Sequence, residues 1–167
     1  MAFLVFLDAG VVGLTSSRTT PKDAAEFSLW VDDMLEVGAD LIVSDLTRYE
    51  VRRELCRLKA QAQIQRLDAF CQGLTYAPVT REAWVKAGEL WGIIRSKGMR
   101  TGPDNDLDGD AILAGSASTI GGPNDRVVIA TTNVKHLKFF PDIDARLWRD
   151  IPPNEAKDNA SAILPRE

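Results

Sequence analysis

Three short stretches, FLVFL at 3–7, LIV at 41–43 and VVIA at 127–130, constrain the fold of this chain more than any other feature. Each is apolar without alternation, and a strand with no polar side is one buried on both faces. Each also stops abruptly on a polar residue: Asp8, Ser44 and Thr131. The intervening segments follow the helical period instead. From Pro21 to about Gly38, Phe27, Trp30, Val31, Met34 and Leu35 form one stripe. After Ser44 or Asp45 as a cap, Val51, Leu55, Leu58 and Ala62 form another, and a further helix over 64–71 closes at Gly73. Thr80 caps a helix reaching Gly98, in which Trp84, Ala87, Leu90, Trp91 and Ile94 read as a core face and only secondarily as bases' stacking partners. Residues 75–79 are predicted as a third strand and 146–151 as a last edge strand. Strand and helix alternate, so the expectation is an α/β chain with a parallel sheet covered by helices on both faces.

A chain of 167 residues can bury one substantial core, and a single domain over 1–151 is expected. Pro, Asn, Lys, Asp and Ser dominate 152–167, which reads as a loosely held tail. No apolar run approaches bilayer length, and the apolar start meets Asp8 too early for a signal peptide, so a cytoplasmic protein without membrane contact is expected. Cys56 and Cys71 lie in helical patterns without ligand-like neighbours and read as reduced, partly buried thiols. The net charge of -4 argues against broad binding to duplex DNA. One basic stripe remains: Arg48, Arg52, Arg53, Arg57, Lys59 and Arg66 against Glu50 and Glu54, either a solvated helix face or a set of phosphate contacts.

DNDLDGD at 104–110 carries more acid than a turn needs. It admits three readings. Asp106 or Asp108 can cap a helix. Asp110, in the first turn of that helix, can join a carboxylate cluster. Asp104, Asp106, Asp108 and Gly109 also fit the opening of a calcium loop, but Gly115 stands where its closing Glu belongs.

Parallel sheets bind ligands beyond the carboxyl ends of their strands. Asp8, Glu50, Asp110 and Asn133 all fall near such ends and would meet on one rim. Taken singly, Asp8 and Asn133 read as caps and Glu50 as a surface acid paired with Arg53. Taken together, they ask for a cation, because crowded carboxylates raise one another's pKa. Oxygen ligands favour magnesium or manganese, and one histidine with two scattered cysteines gives zinc little support.

LVFLDAG with Asp8, VSDLTRYEVRREL with Glu50, DGDAILAGSA with Asp110 and VIATTNVKHL with Asn133 resemble, in order and spacing, the PIN-domain nucleases, especially VapC-type toxin ribonucleases. The resemblance implies a three-layer α/β/α sandwich with a mainly parallel five-stranded sheet. It also implies an acidic pocket for one or two Mg2+ or Mn2+ ions, held by Asp8, Glu50 and Asp110, with Asp108 as a further ligand. Asn133 would orient water or metal, and His136 would position its loop. Thr131, Arg48, Arg52 and Arg53 are the expected substrate contacts. Ala9 stands where the family often has Thr or Ser. The implied activity is endonucleolytic hydrolysis of single-stranded RNA by the toxin of a type II toxin-antitoxin pair, a homodimer silenced by a VapB-like antitoxin. The alternatives are a PIN-like RNA-binding domain with feeble cleavage, and a calcium-binding module.

Overall fold

The computed structural model describes residues 1–16, 21–98 and 104–156. The first apolar run is β1 (Phe3–Leu7), buried at every position. It lies at the centre of a five-stranded sheet, between β2 (Asp40–Ser44) and β4 (Arg126–Thr131). β3 (Thr75–Ala77) extends the sheet beyond β2 and β5 (Ala145–Leu147) beyond β4, and all four pairings are parallel. The chain moves outward from β1 through β2 to β3 and then restarts on the other side with β4. This reversal opens a crevice between the carboxyl ends of β1 and β4.

Successive side chains of a strand point to opposite faces, and β1 divides the core accordingly. Phe3, Val5 and Leu7 pack with α2 (Pro21–Glu36), α3 (Asp45–Arg57) and α4 (Gln61–Gln72). Leu4 and Phe6 pack with α5 (Arg81–Ser96) and α6 (Asp104–Thr119). Each fully buried Phe or Leu contributes about 1.5–3 kcal/mol. Two short helices, α1 (Ala9–Val12) and α7 (Val134–Leu137), follow β1 and β4 directly and mark the rim of the crevice. Gly115 lets α6 lie against the backbone of α5: a Cβ there would stand 2.6 Å from the Ala83 carbonyl oxygen and 2.8 Å from the Ala87 nitrogen. Among the described residues no helix is long and apolar enough to cross a membrane.

Several sequence expectations are corrected. The stripe Val51, Leu55, Leu58, Ala62 does not run through one helix. α3 ends at Arg57, Lys59 takes a left-handed φ of 54°, and α4 starts afresh, leaving Leu58 and Ala62 exposed. On α5 the buried face is Ala83, Ala87, Leu90 and Ile94, while Trp84 and Trp91 face outward. The third strand is shorter than expected, and the last begins at Ala145 and turns at Trp148–Asp150 into a 3-10 helix. Trp148 packs edge-on to Phe27, with ring centroids 5.4 Å apart. Trp30 Nε1 donates to the carbonyl of Ile151, the last residue of the expected domain, at 2.9 Å. The first residues of the expected tail are anchored too: Glu155 pairs with Arg126 and Arg146, and Ala156 is buried. Residues 157–167 lie outside the described part. Both cysteines are free thiols, Cys71 half-buried and Cys56 exposed.

Candidate active site

β1 ends at Asp8, whose extended backbone makes it the N-cap of α1. One carboxylate oxygen accepts from the Ala9 backbone N–H at 2.6 Å, and the other accepts from the Thr131 hydroxyl at 2.7 Å, across the crevice. Burial pushes the Asp8 carboxyl above the usual carboxylate range, and the hydrogen bonds from Thr131, Ala9 and Gly10 offset part of that rise. Its orientation is therefore fixed from the start of α1 and the end of β4 at once.

Glu50 reaches the same place from α3. Ser44, the N-cap of α3, accepts from the Thr47 N–H. The Thr47 hydroxyl in turn donates to the Leu7 carbonyl at 3.0 Å, pinning the start of α3 to the end of β1. One turn later Glu50 lies beside Gly109 of α6, so close that a Cβ on Gly109 would stand 2.9 Å from Glu50 Oε1. Asp110 follows Gly109, with its Oδ2 3.3 Å from His136 Nδ1 on α7. Asp8, Thr47, Glu50, Gly109, Asp110 and His136, with Leu46 and Leu113, enclose one cavity of about 220 Å3. Three acids from β1, α3 and α6 thus face a common space.

The other expected site residues are not part of the cavity lining. α6 begins at Asp104, well before Asp110, so the backbone that a calcium loop needs as loop is helical. The side chains of 104–106, on which that reading also depends, lie outside the described part. Residues two apart on a helix point about 200° apart, and Asp108 accordingly turns to the α5 side, beside Trp84 and Trp91. Asn133 is exposed and caps α7, accepting from the Lys135 N–H at 3.2 Å. Thr131 is wholly buried, with its hydroxyl committed to Asp8 and to the Asn133 N–H, so it positions an acid instead of meeting a substrate. Arg48 and Arg52 converge on Asp68 of α4 at 2.8 and 2.7 Å, and Arg53 lies over the Tyr49 ring. Thr47 and Gly109 were not expected in the cavity. The Ser44-x-x-Thr47 spacing after a strand was the available signal for the first, and the second depends on how closely two distant helices approach.

The donor chemistry of the cavity, carboxylate and hydroxyl oxygens with one imidazole, suits a hard divalent ion. Among the described residues, however, no three acidic, histidine or cysteine side chains stand as a ready ligand cluster. A cavity of this volume leaves room for water between an ion and the acids, and magnesium in particular retains several waters.

The sequence matches no family model and no curated protein. The fold does match solved structures. A chain of VapBC2 from Rickettsia felis, crystallised with a DNA fragment from its promoter, superposes with a TM-score of 0.65 at 16% identity, covering 87% of this chain and 99% of that one. A chain of DNA-bound VapBC from Salmonella typhimurium gives 0.65 at 19% identity, covering 89% and 99%. FitAcB from Neisseria gonorrhoeae gives 0.65 at 14%, covering 88% and 99%. The fold is PIN-like. Within that PIN-like sandwich, Asp8 and the acids of α3 and α6 occupy the crevice where a parallel sheet of this topology places its ligands.

Proposed function

We propose that the chain is a metal-dependent endoribonuclease that hydrolyses phosphodiester bonds of single-stranded RNA, the toxin of a toxin-antitoxin pair. The observation that carries this reading is the meeting of Asp8, Glu50 and Asp110, from three elements far apart in sequence, around one cavity in a fold shared with VapBC structures. Asp8, Glu50 and Asp110 would hold magnesium or manganese. When bound, such an ion supplies an acidified water and offsets charge on the leaving oxygen of a phosphodiester. The chain's own part is to fix and shelter the groups. Thr131 and the Ala9 N–H hold Asp8 in one orientation. Leu46 and Leu113 restrict water at the cavity wall, which strengthens electrostatic attraction there. His136, beside Asp110, brings ring nitrogens to the same wall, where an N–H can donate to a phosphate oxygen.

The proposal includes a protein antitoxin and a homodimer. An apolar groove of about 440 Å3, formed by Ala9, Val51, Leu55 and Leu58, adjoins the cavity and shares Glu50 with it. An antitoxin helix laid there would cover the acids. Defined RNAs incubated with manganese test the reading. The unaltered chain should cut them, and Asp8→Asn should lower the rate by about a thousandfold while leaving the chain folded. A second reading, an RNA-binding domain with feeble cleavage, is favoured by the absence of a ready three-ligand cluster among the described residues. It predicts RNA binding that Asp8→Asn leaves unchanged, with no cutting by either protein.

A further inference from the structure

Of the four tryptophans, Trp30 and Trp148 are buried, but Trp84 and Trp91 are 55% and 36% exposed. Their spacing of seven residues places them two turns apart on one side of α5. Between these indoles and α6 runs a depression of about 210 Å3, walled by Ile112 and Asp108. Gly88 forms part of its floor, where a Cβ would meet nothing within 4 Å. Glycine in mid-helix weakens the helix, and no packing contact in the structure calls for one at this position. Asp108 precedes Gly109 and Asp110, which line the acidic cavity, so the two spaces lie on either side of the first turns of α6. They are separated by roughly the width of one helix, about 10 Å.

We infer that this depression is a subsite for an unpaired guanine base of the substrate RNA, stacked on Trp84, walled by Trp91 and read by Asp108. The inference rests on the proposed ribonuclease reading. Flat exposed indoles stack any base, so the rings supply affinity without choice. Choice comes from the carboxylate, which only accepts hydrogen bonds. Guanine presents two neighbouring N–H donors on its pairing edge, matching the two oxygens of Asp108. Uracil presents one N–H flanked by two carbonyls, which a carboxylate repels. The Arg95 guanidinium lies over one face of the Trp91 ring, 5.4 Å from its centroid, and brings positive charge to that end of the depression for the RNA backbone. A second copy of the chain suits the surface less well, because a two-fold contact would bury Asp108 of both copies, and charged residues are depleted from interface cores.

The test uses the Asp8→Asn chain, which should hold RNA without cutting it, and reads tryptophan fluorescence against short oligoribonucleotides of uridine alone or with one guanosine. The guanosine oligomer should bind about tenfold more tightly, and Trp84→Ala and Trp91→Ala should each weaken binding about tenfold, with Trp84→Phe restoring most of it. Asp108→Asn should remove the guanosine preference while leaving binding. Equal affinity for the two oligomers, or binding unchanged in both alanine variants, overturns the subsite. So does a dimer that the alanine variants disperse in sedimentation velocity, which would assign the face to a second copy. RNA cutting by the unaltered chain together with unchanged binding in the alanine variants sinks the subsite and spares the ribonuclease reading. Guanosine-dependent binding by a chain that never cuts sinks the ribonuclease reading and spares the subsite.

Discussion

Asp8→Asn should cost activity without costing stability, and the structure says why. The Asp8 carboxylate is half-buried, and burial raises its pKa because the charged form loses solvation. A carboxyl whose pKa is higher in the folded than in the unfolded state binds protons preferentially when folded, so stability falls as pH rises through that interval. Below the unfolded pKa both states are protonated and the penalty vanishes. At neutral pH it is fully present. Asparagine has the same shape and caps a helix as well as aspartate does, so the hydrogen bond from the Ala9 N–H survives. Its amide can also donate to the Thr131 hydroxyl, which now donates to Asp8. With the charge gone and the cap retained, the variant should match the parent or exceed it by up to about 1 kcal/mol, which for a chain of this length reads as roughly 2–4 °C in Tm. The assay is thermal unfolding in chelator at pH 7.5 and at successively lower pH, where the difference should narrow as pH falls through the raised folded pKa and vanish below the unfolded one. Adding manganese at about a hundred times its Kd should stabilise the parent by about 2.7 kcal/mol and the variant much less. A variant that is less stable by 1 kcal/mol or more at pH 7.5 would refute the reasoning and make Asp8 a structural cap.

Thr131→Val removes the donor to Asp8 and the acceptor of the Asn133 N–H; it should cost about 1–3 kcal/mol in urea unfolding and lower RNA cutting, and Thr131→Ser should recover both. Gly109→Ala places a methyl 2.9 Å from Glu50 Oε1, so the flexible acid moves aside; Tm should barely change while cleavage falls about tenfold to a hundredfold. Gly115→Ala drives a methyl into the α5 backbone, which cannot yield as a side chain does, and calorimetry should show a loss of about 1–3 kcal/mol or more.

The central strands were legible because their apolarity has no period: FLVFL can be satisfied only between two layers, and each run's polar stop marked a carboxyl end. Asp8, Glu50 and Asp110 could therefore be placed on one rim before any contact was known. Local pattern was silent where tertiary contact decides. The α5 sequence carries two adjacent apolar stripes, about 100° apart, and periodicity does not say which one α6 covers; Ala83 and Ala87 are small enough for Gly115 to approach, and Trp84 and Trp91 are not. The start of α6 is not legible locally, because the acids of 104–110 read as a cap, a carboxylate cluster or a loop, and a helix start at Asp104 turns Asp108 away from Asp110. Arg48 and Arg52 looked like phosphate contacts because their partner, Asp68, lies on the following helix, beyond the reach of an i,i+4 rule. The break at Lys59 came without a glycine or proline to announce it.

The claim on which the account depends is that Asp8, Glu50 and Asp110 act on one cation. Manganese binding, followed by electron paramagnetic resonance on the unaltered chain and on Asp8→Asn, Glu50→Gln and Asp110→Asn, measures this directly. The account predicts saturable binding by the parent and a loss of about tenfold or more in affinity for each of the three variants. Binding that survives unchanged in any one of them, or a parent that takes up no manganese, would contradict it.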